Sequence, residues 1–416
     1  MLIVYRYSFM RVCPWMLVPG LALCMASAQL VPATHDSVRW QGRTLRDGRT
    51  GAVSYAWAGV SFSFNVTTTT VATTVSMQFS SGFPDAHLEP CTGAKPACGV
   101  AGLHVYVDGV LKNSLALPMG AAPWPNNTGV TTWITLLNDF QCGAPSCAVQ
   151  GIYITDPITL SWPNLPAFDR QTTHAFRVGG GGSSGGVSVA AIIPQPPVSK
   201  QQRRIDIYGD SITAGNQINP ETCDHDWSGT YGKLLCEDFG ANCTCQAISG
   251  KGIYHNCCDD NGVTMNEIGL NILPGNASTK MTAADYAAAG RPDGIMINLG
   301  TNDWGYVVGK TINNTAAFVK AYLAFVVELA TQQGFPAVKA PSFFLVMGPI
   351  LGSHNAPTYR TTMHAIIAGA NANGIPTFPV DMLGIPVDRC HHPAYDSHVM
   401  MYQKARPVFA SALGWQ

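Results

Sequence analysis

The hydrophobic period changes partway along this chain, and that change constrains the fold more than any single residue does. From about Val38 to Pro194, strand-length runs alternate apolar and polar positions: "AVSYAWAGVSFSFNV", "TTTTVATTVSMQF", "GLHVYVDGVLKNSLAL" and "GVTTWITLL". A period of two, rich in Val, Thr, Tyr and Phe and broken by Gly or Asp-Gly turns, suits antiparallel strands that bury one face. Residues 36–197 therefore read as an all-β domain of jelly-roll or sandwich type. After Arg204 the pattern differs. Short apolar runs, "IDIY", "GIMINL" and "SFFLVMG", alternate with helix-like segments. The clearest is Ala316 to Gln333, where Phe318, Tyr322, Phe325, Val326 and Leu329 recur at helical spacing and Gly334 supplies a stop. Strands separated by helices predict an α/β domain over residues 203–416, with a parallel sheet covered on both faces. "VGGGGSSGG", from Val178 to Gly186, is read as a hairpin loop before a last sandwich strand in "VSVAAII", which puts the boundary near "PQPPVSKQQRR". The 416 residues accommodate two such domains.

The N-terminus predicts the compartment. Arg6 and Arg11 precede an apolar run from Val12 to Met25, and Ala26-Ser27-Ala28 follows as a small-x-small cleavage site, so residues 1–28 read as a signal peptide. Pro14 and Pro19 interrupt that run, which is short for a bilayer span of about 20 residues. A secreted chain that leaves the membrane after cleavage is the expectation.

Secretion in turn changes how the cysteines read. Of 13, Cys13 and Cys24 leave with the leader, and the rest enter an oxidising compartment where disulfides persist. Cys91 with Cys98, and Cys142 with Cys147, flank short loops and are read as local clips, whereas pairing among the second-half cysteines cannot be deduced. Sequons at Asn65, Asn126, Asn242, Asn276 and Asn313 suggest a glycoprotein if the secretory route is eukaryotic. Only 12% of residues are charged and the formal net charge is -1, so no electrostatic footprint points to nucleic acid or an anionic membrane.

Chemistry concentrates where strands end. "IDIYGDSITAGNQ" reads as a buried strand that stops at Gly209-Asp210-Ser211 and turns into a helix. A serine there is held exposed beside backbone N–H groups, in the region where parallel sheets bind ligands. Thr213 stands where a G-x-S-x-G nucleophile elbow needs its second glycine, so that motif does not apply. Further along lie "ISGKG", "LGTND" and "VDRCHHPAYDSH". No H-E-x-x-H or comparable metal-ligand spacing occurs, and no metal or cofactor is expected.

Four blocks in this order, "GDSITAG", "ISGKG", "LGTND" and the Asp/His cluster, resemble those of the SGNH, or GDSL-type, hydrolases, whose catalytic domain is a flavodoxin-like α/β sheet. With "VRWQGRTLRDG" and "YAWAGVSFSF" ahead of them, the chain resembles carbohydrate esterase family 2, in which a β-sandwich precedes the SGNH domain. The resemblance implies Ser211 as nucleophile, with the backbone N–H groups of Ser211 and Gly250 and the side-chain amide of Asn302 as oxyanion donors. Asp303 is read as structural. The base is His392 or His391. Counting Asp-x-x-His from Asp388 selects His391, whereas the histidine before a proline is His392, with His398 six positions later. We take His392, with Asp388 either orienting it or taking no part. Trp304 and Trp227 are candidates to stack on a sugar ring or to pack in the core.

The implied activity is that of a secreted serine esterase, similar to acetyl xylan esterases, that removes acetyl groups from an acetylated polysaccharide or oligosaccharide. The alternatives are a GDSL-type lipase or general esterase, and a catalytically inactive carbohydrate-binding protein.

Overall fold

Alternation at every second residue builds the first half. The computed structural model describes residues 29–416 apart from 56, 58–59, 68–72, 82–101, 117–131, 141, 143–145, 154–170, 181–190, 194–202, 222–224, 258–261, 275, 305–314, 351–355 and 389–390. The proposed leader, the Cys91–Cys98 clip and most of the glycine-rich loop lie outside the described residues.

Strands in chain order are β1 (Gln29–Pro32), β2 (Arg39–Gln41), β3 (Leu45–Asp47), β4 (Ala52–Tyr55), β5 (Ser61–Thr67), β6 (Thr73–Ser81), β7 (Gly102–Val107), β8 (Val110–Ala116), β9 (Thr132–Phe140), β10 (Ser146–Tyr153), β11 (Gln171–Gly180) and β12 (Ala191–Ile193). They form two antiparallel sheets. One runs β3-β4-β11-β6-β9 with β1 also on β11, and the other runs β12-β5-β10-β7-β8 with β2 also on β5. Inward-facing Phe62, Phe64, Val75, Met77, Val105, Tyr153 and Phe176 fill the space between them. This burial of alternate side chains is the sandwich signature. The sandwich starts earlier than residue 36, because Val31 on β1 pairs with Phe176 on β11. The Cys142–Cys147 clip is formed, and a second bridge, Cys236–Cys243, lies in the α/β half.

The second half contains β13 (Arg204–Gly209), β14 (Asn242–Ala247), β15 (Gly294–Asn298), β16 (Ser342–Met347) and β17 (Thr377–Asp381). Between and after them come α1 (Ser211–Ala214), α2 (Tyr231–Asp238), α3 (Met265–Ile268), α4 (Ala283–Ala289), α5 (Thr301–Trp304), α6 (Thr315–Gln332), α7 (Ala356–Ala372) and α8 (Tyr395–Leu413). The strands form one parallel sheet in the order β14-β13-β15-β16-β17, which is the flavodoxin-like 2-1-3-4-5 arrangement. Successive strand residues face opposite layers. Ile207, Met296 and Phe344 pack toward α2 and α8, whereas Tyr208, Ile297 and Leu345 pack toward α6 and α7. All five apolar positions expected on the helix at Ala316–Gln333 are fully buried on α6.

Arg43, from the "VRWQGRTLRDG" stretch, pins the two domains together. Its buried guanidinium donates to the Gly269 carbonyl, to Asn271 O at 3.2 Å, to Tyr286 Oη at 2.9 Å and to Tyr208 Oη. A buried cation requires such a ring of oxygens in place of water. Trp57 Nε1 adds a bond to Asn271 O at 3.1 Å. Among the described residues no helix is long and apolar enough to cross a membrane.

Candidate active site

Three neighbouring strands end at the same edge of the parallel sheet, and each delivers one of the predicted blocks. β13 ends at Gly209. Asp210 caps the turn beyond it, its Oδ1 accepting the Ile212 N–H at 3.0 Å, and Ser211 opens α1. The helix expected there is a single turn, closed by Gly215 in the left-handed region at φ 78°. Gly209 is needed because a Cβ at this position would overlap Thr213. The G-x-S-x-G spacing fails for that reason: the bulk sits at position 213 and the space at 209.

β14 leads into Ser249-Gly250, with Gly250 at φ 78°, where a side chain is strained. β15 leads through Gly300, at φ 116° against the Tyr359 hydroxyl, into Asn302 and Asp303 on α5. The three loops are bonded to one another. Asn216 Nδ2 donates to Ser249 Oγ at 3.0 Å, and Asn302 Nδ2 donates to Lys251 O at 2.8 Å. The Asp303 carboxylate accepts the N–H groups of Ile253, Tyr254 and His255 at 3.1, 2.7 and 2.8 Å. Asp303 thus shapes the loop after Gly250. The N–H groups of Ser211 and Gly250 donate to no protein acceptor among the described residues, and one of the two Asn302 amide hydrogens is engaged by Lys251.

The fourth block lies beyond β17. His392 Nε2 lies 2.8 Å from Ser211 Oγ. His391 is exposed, in the left-handed region at φ 64°, and its N–H donates to Asp388 O at 3.0 Å. The extra residue between Asp388 and His392 is taken up in this turn, so the histidine that meets the serine is the one before the proline. Asp388, read as either orienting the base or taking no part, donates its N–H to His392 O at 3.1 Å. The partner found on His392 Nδ1 is Gln217 Oε1, at 2.8 Å. Nothing in the sequence assigned a role to Gln217, although it closes the stretch "IDIYGDSITAGNQ", two residues after the serine block.

Trp304 does not face the cleft. It is 4% exposed and packs edge-on to Phe318 and Tyr359. Trp227 is likewise buried, in a small cluster that includes Ile152 of the sandwich. His398 lies under the site, fully buried. Its ring stacks on Tyr231 with centroids 5.8 Å apart, and its Nδ1 accepts the Tyr231 N–H at 3.2 Å.

Burial sets the charges beneath the serine. It pushes Asp210 up to about 7, and Asp303, despite its three N–H bonds, up to about 6. It pushes His398 down to about 3, which keeps that ring neutral. A hydroxyl bonded to a held imidazole, with backbone donors nearby, can attack a carbonyl carbon and stabilise the resulting oxyanion.

No family model matches the chain, and no curated protein matches it in sequence. Solved structures do match in shape. A family two carbohydrate esterase from Cellvibrio japonicus superposes with a TM-score of 0.71 at 17% identity, over 94% of this chain and 99% of that one. A family two carbohydrate esterase from Clostridium thermocellum, in complex with cellohexaose, gives 0.68 at 17% identity, over 91% and 100%. An acetyl xylan esterase from the rumen bacterium Butyrivibrio proteoclasticus gives 0.66 at 13% identity, over 94% and 99%. The chain thus shares the fold of these proteins over nearly its whole length.

Proposed function

We propose that the protein is a secreted serine esterase that removes acetyl groups from carbohydrate through an acyl-enzyme. The observation that carries this reading is the 2.8 Å contact between Ser211 Oγ and His392 Nε2 at the carboxyl edge of the sheet. His392 accepts the Ser211 proton as Oγ bonds to the acetyl carbon. The carbonyl oxygen becomes an oxyanion beside Ser211 N, Gly250 N and Asn302 Nδ2. Collapse of this intermediate breaks the bond to the sugar oxygen, which takes the proton from His392. Water then repeats the sequence on the acetyl-serine and releases acetate. This chemistry calls for no cofactor.

The carbohydrate substrate is supported by the four ordered blocks and by the two-domain likeness to carbohydrate esterases, one of them an acetyl xylan esterase and another complexed with cellohexaose. An acetylated β-linked polysaccharide such as xylan is the substrate of choice. Secretion is supported by the N-terminal 28 residues. The test is acetate release from acetylated xylan by wild type beside Ser211→Ala. Release by wild type alone is the expected result. Cleavage of p-nitrophenyl esters without release from xylan would overturn the substrate. Binding to xylan without turnover, unaltered in Ser211→Ala, would overturn the activity.

A further inference from the structure

Gln217 occupies a conformation that a side-chain-bearing residue seldom adopts, and the surrounding bonds keep it there. Its φ is 56°, in the left-handed region that disfavours a residue carrying a Cβ. On one side, Asn216 N–H donates to Ser211 O at 2.9 Å and Asn216 Nδ2 to Ser249 Oγ at 3.0 Å. On the other, Ile218 O accepts the N–H of Tyr395, the first residue of α8, at 3.1 Å. Gln217 therefore lies between a clamp on the serine turn and a clamp on the segment that carries His392. Strain maintained in this way at a reacting pair points to a role in that pair.

We infer that Gln217 is the positioning residue for His392, an uncharged amide that holds the imidazole in the one tautomer able to take the Ser211 proton. The inference rests on the esterase reading above. An amide oxygen only accepts, so the bond to Gln217 Oε1 is donated by His392 Nδ1–H. Nε2 is then the unprotonated nitrogen and faces Ser211 Oγ–H. A carboxylate on Nδ1 would select the same tautomer and would also favour the imidazolium. Gln217 selects the tautomer without adding charge, so the base stays neutral, and the enzyme active, to lower pH than a carboxylate-backed pair allows. Of the other titratable groups, His398 on α8 couples electrostatically to the ring, Asp388 and His391 share its loop, and Asp210 adjoins Ser211.

Two variants and two readouts test this. Gln217→Leu removes the acceptor, and Gln217→Glu replaces it with a charged group of the same shape. Kinetics on an acetyl ester are expected to show Gln217→Leu with kcat lower by about 10²–10⁴-fold and KM nearly unchanged, as when a serine hydrolase histidine loses its tautomer-setting partner. Gln217→Glu is expected to keep turnover at alkaline pH and to move the acid limb of kcat/KM upward by at least about one pH unit. The second readout needs no turnover: ¹⁵N NMR of histidine-labelled protein, with His392 identified by its loss in His392→Ala. Wild type should show His392 protonated on Nδ1 and bare on Nε2, and Gln217→Leu should lose that preference. An Nε2-protonated ring in wild type would overturn the inference. So would a Gln217→Leu variant with unchanged tautomer and kcat, or an acid limb unmoved in Gln217→Glu. If Gln217→Leu fails to fold, the wild-type spectrum and the Gln217→Glu profile decide. A wild type with the expected tautomer that cleaves no ester would sink the esterase reading and leave the placement of Gln217 standing.

Discussion

Gly209→Ala tests whether the serine turn is built by a size match between two residues. A Cβ at position 209 would sit 2.9 Å from Thr213 Cγ2 and closer still to Thr213 Oγ1 and Cβ, where about 3.5–4.0 Å is comfortable. Thr213 cannot withdraw, because it is 1% exposed and its Oγ1 is bonded to Tyr231 Oη at 2.9 Å. Tyr231 Oη in turn accepts from Asn298 Nδ2 at 3.0 Å. Relief must come from the backbone, at about 1–3 kcal/mol for an overpacked core site. Since Ser211 is two residues away, a shift approaching 1 Å should cost activity by about 10²-fold. Thr213→Gly opens the space but loses one hydrogen bond and some helix stability, together about 2 kcal/mol. Urea unfolding and acetate release measured on both single variants and the double variant give the coupling. The double variant should be more stable than the sum of the singles by about 1–2 kcal/mol and should recover part of the lost activity. Additivity within about 0.5 kcal/mol would refute the size match, as would a Gly209→Ala variant indistinguishable from wild type.

Three further outcomes are expected. Asn302→Ala, on acetylated xylan, should lower kcat by about 10²–10³-fold while leaving the fold intact; an unchanged kcat would remove Asn302 from the oxyanion site. His392→Ala should abolish acetate release whereas His391→Ala, altering an exposed side chain, should stay within a few-fold of wild type; the reverse ranking would reassign the base. Burial raises Asp210 and Asp303 above the ordinary carboxylate value of 3.8, to about 7 and about 6, so the folded chain binds protons that the unfolded chain releases. Their contribution to stability is full below about pH 3.8 and is lost as pH rises through about 6 to 7. His398 acts oppositely, present above its ordinary 6.5 and lost as pH falls toward about 3. Asp303→Asn should therefore gain on wild type as unfolding is followed from about pH 4 to pH 7, and a constant difference between the two would contradict the burial argument.

Legibility in the sequence tracked how local the physical cause was. Ser211 and Asn302 could be placed at strand ends because a buried apolar run that halts at glycine and polar residues marks where a strand leaves its sheet. Phe318 to Leu329 declared their helix through spacing alone. The Cys142–Cys147 clip was legible from a short loop in a chain expected to be oxidised. By contrast, β1 offers four residues with little pattern, and its place in the sandwich comes from pairing with β11, far along the chain. Trp304 was open to a sugar or to the core because sequence shows that an aromatic comes after Asn302 and Asp303, not which side of α5 it lies on; in the structure it packs against Phe318 and Tyr359. The choice of His392 over His391 was legible from the proline that follows it, whereas the positive φ at His391 has no record in the sequence. Gln217 reaches His392 across 175 residues, through a side chain in an unusual backbone conformation, which no local rule anticipates.

A covalent step at Ser211 is central to the proposed activity. Wild-type protein mixed with excess p-nitrophenyl acetate, quenched in acid within the first turnovers and digested for mass spectrometry, should carry an acetyl group on the peptide containing Ser211, absent from Ser211→Ala and from His392→Ala. An acetyl group on another residue, or hydrolysis at full rate in Ser211→Ala, would contradict that step.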